Sequence, residues 1–208
     1  MIFQNLKSSQ KYKITYILIA LNITFYIYGA IIGGNAFVTG PNVIQTLGQA
    51  NFLVLEHGFY YQLFTSMFIH ASIVHIGSNL IFLLIFGLRA EEMFSLPEYL
   101  SIYFLGGLAG NLLTLTYGPN YYSVGASGAI FALLGACIIY DRKSSQQSII
   151  SALAFAFVIL LINMGENVNV LAHVGGIVFG LIIGYLLALQ HKTRSQRQYY
   201  SASYSYQL

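Results

Sequence analysis

Ser127 stands in the segment Val124-Gly125-Ala126-Ser127-Gly128-Ala129-Ile130-Phe131, at the head of an apolar run long enough to enter a membrane. His173 stands in a second such run, in Leu171-Ala172-His173-Val174-Gly175-Gly176. Groups that ionise or react are costly at membrane depth, and those found there serve function by default. A serine and a histidine at like depth on different helices are the parts of an activated nucleophile. The imidazole takes the hydroxyl proton as the oxygen attacks an acyl carbon. On a third apolar run His75 and Asn79 lie four residues apart, so they share one helix face.

The elements that must position these groups are membrane crossings. The chain of 208 residues is 57% hydrophobic and 7% charged, with a mean hydropathy of +0.68. Soluble domains carry about 25% charged residues, so the length is better counted in crossings of about 20 residues each. Six are expected, at 14–32, 72–88, 99–117, 124–140, 148–163 and 170–189. Helices are the open-chain solution in lipid, where unpaired backbone groups find no solvent. The fold class is therefore an all-α membrane protein with six transmembrane helices.

Charge orients it. Lys7, Lys11, Lys13, Arg89, Arg142, Lys143, Lys192, Arg194 and Arg197 are all the basic residues, and alternating crossings put every one on the same side. That side is the cytoplasm by the positive-inside rule, with both termini inside. Residues 1–13 form a short cytoplasmic N-terminus, 14–190 the membrane domain, and 191–208 a tail expected to be disordered from its basic, then Ser- and Tyr-rich composition. The first crossing reads as a signal anchor rather than a cleavable signal peptide. The net charge of +3 is explained by this distribution, so no nucleic-acid partner is expected, and the lipid bilayer is the surroundings. Lone Cys137 offers neither a disulfide nor a cysteine metal site. The external segment 33–72 carries Phe52-Leu53-Val54-Leu55 and Phe59-Tyr60-Tyr61-Gln62-Leu63-Phe64, apolar enough to lie partly in the interface.

Depth then follows from helical rise. Ser127, entering near Val124, is about one turn in, or about 5 Å at 1.5 Å per residue. His173, entering near Val170, is equally deep, as is His75, with Asn79 one turn further. Gly176, Gly180 and Gly184 form a small-residue ridge every four residues, and Gly128, Ala132 and Ala136 repeat that spacing. Such ridges let helices approach closely. None of the six acidic residues falls inside a crossing, so no buried aspartate completes a triad. A Ser127–His173 dyad is expected, the imidazole oriented by packing on Phe131. The helix N-terminus at Ser127, with His75 and Asn79, supplies donors for an oxyanion.

Other chemistries fit less well. The hydrolase elbow G-x-S-x-G is unmatched, since Ala129 replaces the last glycine and no strand precedes. A metal site at His70, His75 and His173 lacks carboxylates and an H-E-x-x-H motif. No metal and no cofactor are expected, and His70 reads as a loop-bonding residue. Asn169 reads as the cap of the sixth crossing. A small transporter calls for repeats, broken helices and midplane charge, none visible in the sequence.

Gly125-Ala126-Ser127-Gly128, Ala172-His173-Val174-Gly175-Gly176, and Phe68-Ile69-His70 followed by His75-Ile76-Gly77-Ser78-Asn79 resemble the signatures of the rhomboid family of intramembrane serine proteases. The resemblance covers most of the chain, from the loop before the second crossing to the end of the sixth. It implies a six-helix bundle of the rhomboid type and an endopeptidase cutting transmembrane-protein substrates near the external face. Ser127 is then the nucleophile and His173 the general base. His75, Asn79 and the Ser127 N–H make the oxyanion hole, and Gly125 leaves room for the carbonyl. A plasma membrane of a prokaryotic cell, with the site facing outward, is the implied setting. The oligomeric state is not legible. A helix-binding relative without protease activity should lack the serine or the histidine, and both are present. One departure stands out: Tyr61-Gln62 replaces the Trp-Arg pair of many relatives, which puts the stability of the outer loop in question. The small, Phe-rich face at Ala152, Ala154, Phe155 and Phe157 reads as a gate.

Overall fold

The computed structural model describes residues 13–144 and 168–205, with 148, 150, 151 and 154 between them. Its helices are α1 (Lys13–Gly33), α2 (Pro41–Leu47), α3 (Asn51–His57), α4 (Gln62–Thr65), α5 (Ile73–Met93), α6 (Leu96–Thr114), α7 (Ser127–Ser144) and α8 (Val170–Ser205). Two short strands, β1 (Gln49–Ala50) and β2 (Tyr122–Ser123), pair antiparallel with Gln49 opposite Ser123. Among the described residues four helices are long and apolar enough to cross a membrane: α1, α5, α6 with its 3-10 extension to Tyr117, and α8 as far as Thr193. The expected fifth crossing and the gate read on it lie outside the described residues, apart from Ala154 and the isolated positions before it.

Helix α7 is the centre of the bundle and packs against α8, α6 and α5. Asp141, Arg142 and Lys143 close it, leaving an apolar part of about 21 Å at 1.5 Å per residue. That is shorter than a hydrocarbon core of about 30 Å. The helix is enclosed by its neighbours: Ala129, Ala132, Leu133 and Ala136 are wholly buried. The two small-residue ridges meet position by position. A Cβ on Gly176 would strike the Gly128 carbonyl, one on Gly180 the Ala132 carbonyl, and one on Gly184 would lie 2.6 Å from the Ala136 carbonyl. Backbone thus lies on backbone along the α7–α8 seam.

Helix starts are set by local caps. Ser72 Oγ accepts the His75 N–H (3.2 Å) at the head of α5. The third crossing, expected from 99, begins earlier at Leu96, because Ser95 and Glu98 form a reciprocal capping box, a signal visible in the sequence as S-x-x-E. At the other end the tail differs more. Helix α8 continues to Ser205 where disorder was expected from 191. No glycine or proline interrupts 190–205, and Lys, Arg and Gln favour helix once a long helix is nucleated.

Opposite the site, polar ties join the helix ends. Glu91 Oε1 accepts the Thr15 N–H (2.6 Å) of α1. Arg89 meets Asp141 at 3.2 Å, and His191 bonds both Glu98 (2.8 Å) and Tyr140 (2.8 Å).

The outer segment between α1 and α5 is pinned by buried amides. Gln49 Nε2 donates to Asn51 Oδ1 (2.8 Å) and the Asn111 carbonyl (3.0 Å). Asn51 Nδ2 donates to the carbonyls of Thr114 (3.0 Å) and Gly118 (2.8 Å). Gln62 corrects the expectation of a weakened loop. It is fully buried, its Oε1 accepts the Ala50 N–H (3.0 Å), and its Nε2 donates to the Gln45 (2.9 Å) and Thr46 (3.3 Å) carbonyls. A neutral amide thus braces three strands of loop. Replacing Gln62 with alanine strips partners from buried backbone groups and is expected to destabilise by about 1–3 kcal/mol. Hydrogen exchange across 41–65 should accelerate in that variant; unchanged protection there would remove Gln62 from this role.

Candidate active site

The nucleophile segment is extended, not helical, up to Ala126. Gly125 adopts φ +120, which L-residues avoid, and its N–H donates to the Ser66 carbonyl (2.9 Å). The Ala126 N–H donates to His70 Nε2 (3.4 Å). The first helical bond runs from the Ile130 N–H to the Ala126 carbonyl (3.0 Å). Ser127 is therefore the first residue of α7, not one turn inside it, because the left-handed glycine and two long-range bonds hold 124–126 out of the helix. Its own N–H has no intrahelical acceptor and sits at the positive end of the helix dipole.

His173 lies in the first turn of α8, and its N–H donates to the Asn169 carbonyl (3.3 Å). Its ring is buried and stacks on Phe131, with centroids 4.3 Å apart and planes 14° from parallel. Among the described residues its Nδ1 has no hydrogen-bond partner. The ring is held by an aromatic face rather than by a carboxylate. No hydrogen bond joins Ser127 Oγ to His173 among the described residues, and such bonds commonly tighten only around a bound reactant.

His75 and Asn79 approach from α5. His75 Nε2 lies 2.8 Å from where a Cβ on Gly125 would stand. Asn79 Nδ2 donates to the His75 carbonyl (2.9 Å), which fixes the amide orientation; among the described residues its buried Oδ1 has no hydrogen-bond partner.

One cavity of about 830 Å³ is lined by Ser127, His173, His75, Asn79 and Phe131, together with Tyr121, Tyr122 and Asn169. Gly125 and Gly128 lie behind this wall, Gly128 with its Cβ position 3.2 Å from the Ala172 carbonyl in the α7–α8 seam. His70 stands behind His75, their rings edge to face at 5.1 Å. Burial, reinforced by His75, pushes the pKa of His70 down to about 3, so it stays neutral and can accept from Ala126. This link between His70 and the nucleophile segment was not legible from sequence, since 56 residues separate the partners. Nor was the reach of Ser66, whose carbonyl holds Gly125 and whose hydroxyl accepts from Asn111 Nδ2 (3.0 Å).

The sequence matches the rhomboid domain family over residues 57–190. It is 30% identical over 194 residues to rhomboid protease GluP of Bacillus subtilis (strain 168), covering 90% of this chain and 36% of that protein. Identity is 31% over 160 residues to RHOMBOID-like protein 6, mitochondrial, of Arabidopsis thaliana, covering 73% of this chain and 52% of that protein. With Rhomboid-like protease 3 of Toxoplasma gondii it is 28% over 169 residues, covering 77% of this chain and 64% of that protein. The chain thus spans less than two thirds of the length of each of these relatives. The apolar helices make it a multi-pass integral membrane protein. Because the matched stretch takes in α5, α7 and α8, the helices that bring all four polar residues to the cavity, this chain is a member of the rhomboid family.

Proposed function

We propose that this chain is an intramembrane serine endopeptidase that cuts transmembrane-protein substrates near the external membrane face. One observation carries the reading: Ser127 and His173 open on the same cavity from the N-terminal ends of two helices packed backbone to backbone. In the reaction His173 takes the proton of Ser127 Oγ while that oxygen attacks the substrate carbonyl carbon. The C–N bond then breaks, the proton passes to the leaving amine, and water hydrolyses the acyl-serine. The negative oxygen of the tetrahedral intermediate is met by the Ser127 N–H at the helix start, with His75 and the Asn79 amide beside it.

The six-crossing topology with both termini cytoplasmic belongs to the same proposal. Its support is that Lys13, Arg89, Arg142 and Lys143 sit at the helix ends away from the cavity, and Lys192 lies along α8 far from the end that bears His173. The cavity then faces outward, and the proposed setting is the plasma membrane of a prokaryotic cell; the relatives include a bacterial protein beside plant and Toxoplasma ones. The exposed rings of Phe52, Phe59, Tyr60, Tyr61 and Phe64 suit the bilayer interface beside it.

A fluorophosphonate probe on the purified, folded protein should form one adduct, and peptide mapping should locate it on Ser127. Folded protein that takes no adduct, and that leaves a reconstituted single-pass substrate intact, would instead support a helix-binding member without protease activity.

A further inference from the structure

Asn169, just ahead of α8 and among the residues lining the cavity, makes more bonds than a cap requires. Its Oδ1 accepts the Ala172 N–H (3.0 Å), the ordinary service of an N-cap. That bond fixes which end of the amide is which. Both hydrogens of Nδ2 are then spent elsewhere, on Thr114 Oγ1 (2.8 Å) at the end of α6 and on Ser123 Oγ (2.6 Å) in β2. Thr114 donates its own hydrogen to the Gly110 carbonyl (2.9 Å), so toward Asn169 it acts only as acceptor. Thr114 and Ser123 are both buried, where such bonds are shielded from water.

The positions of these partners matter. Ser123 is four residues before Ser127, and the backbone between them is held by Ser66 and His70. His173 is four residues after Asn169, one helical turn away. The glycine seam fixes how closely α7 and α8 approach from Gly128 and Gly176 onward. Beyond that end of the seam, Asn169 bonds at once the segment that delivers the nucleophile and the helix that delivers the base.

We propose that Asn169 is a positioning residue that sets the Ser127–His173 separation through its bond to Ser123; this rests on the proteolytic reading above. The two services of Asn169 can be separated. Asn169→Ser keeps a capping oxygen and drops the amide donors, Asn169→Ala removes both, and Ser123→Ala removes the acceptor while leaving Asn169 and its cap in place.

The test is fluorophosphonate labelling of the full chain across probe concentrations, giving a maximal rate and a half-saturating concentration, with thermal midpoints taken in parallel. Asn169→Ser and Ser123→Ala are each expected to slow the maximal rate about tenfold, with half-saturation within about twofold of wild type and the midpoint nearly unchanged. The double variant should be no slower than the slower single one, because both remove the same bond. Wild-type rates in both Asn169→Ser and Ser123→Ala, beside an active wild type, overturn the positioning role and leave the proteolytic reading standing. Slowing confined to Asn169→Ala reduces Asn169 to a cap, and slowing that tracks a fall in midpoint makes it a stabilising residue; either result overturns the proposal. A folded wild type that takes no label ends both readings.

Discussion

Replacing His173 with alanine is expected to lower both serine labelling and substrate cleavage by at least about a thousandfold, with the bundle still folded. A serine hydroxyl is a weak nucleophile until a base takes its proton as it attacks. The titratable groups lining the cavity are His75, Tyr121, Tyr122 and His173. His75 projects over Gly125 from the opposite wall, on the side where a developing oxyanion would sit. Ser127→Ala should be as severe, and the double variant no worse than either alone, since each removes the same step. Losing His75 should cost less, about 10²–10³-fold, as the loss of one oxyanion donor does. The fold should tolerate the loss of His173, because its Nδ1 is already without a partner among the described residues and Phe131 is its stacking neighbour. Circular dichroism and a thermal midpoint check that. If His75→Ala proved the more damaging change, the assigned roles of the two histidines would have to be exchanged.

Much of this arrangement can be read from the sequence because helical rise converts position into depth. Ser127, His173, His75 and Asn79 each lie within about two turns of an expected span end, and one cavity gathers all four. Five of the expected spans coincide with helices α1, α5, α6, α7 and α8, and all of these but α7 are long and apolar enough to cross a membrane. The seam was legible for a similar reason, as an i, i+4 run of small residues on each helix announces a close face. What escaped depends on partners distant in the chain. Ser127 starts its helix because Gly125 is tied to Ser66 and Ala126 to His70, and no local pattern carries those bonds. Gln62 reads as a loss only beside the arginine that many relatives carry. Its worth lies in backbone groups at Gln45, Thr46 and Ala50 that only the folded loop brings near. The early start of α6 is a different matter, since the Ser95–Glu98 box was in plain view. In the tail, a composition suited to disorder also lacks anything that stops a helix already running.

The Gly125→Ala variant should lose about a hundredfold in labelling rate while the protein still folds. Two effects coincide at this position. With φ at +120, a side chain costs about 1–3 kcal/mol in backbone strain. The new Cβ would also stand 2.8 Å from His75 Nε2 and 2.9 Å from His75 Cε1. Something has to move, and the backbone is held, since the Gly125 N–H is bonded to Ser66 and the next N–H to His70. Movement of His75 displaces an oxyanion donor; movement of the loop displaces Ser127 itself. Gly34→Ala separates these effects, because Gly34 also has a positive φ (+64) but nothing within 4 Å of its Cβ position. That variant should carry strain alone and label at close to the wild-type rate. Adding His75→Ala to Gly125→Ala removes the ring that the methyl strikes. If crowding of His75 is the cause, the combined variant should label no more slowly than His75→Ala alone. A combined variant far slower than either single change would show that Gly125 acts through the path of the loop, with Ser127 rather than His75 as the group displaced.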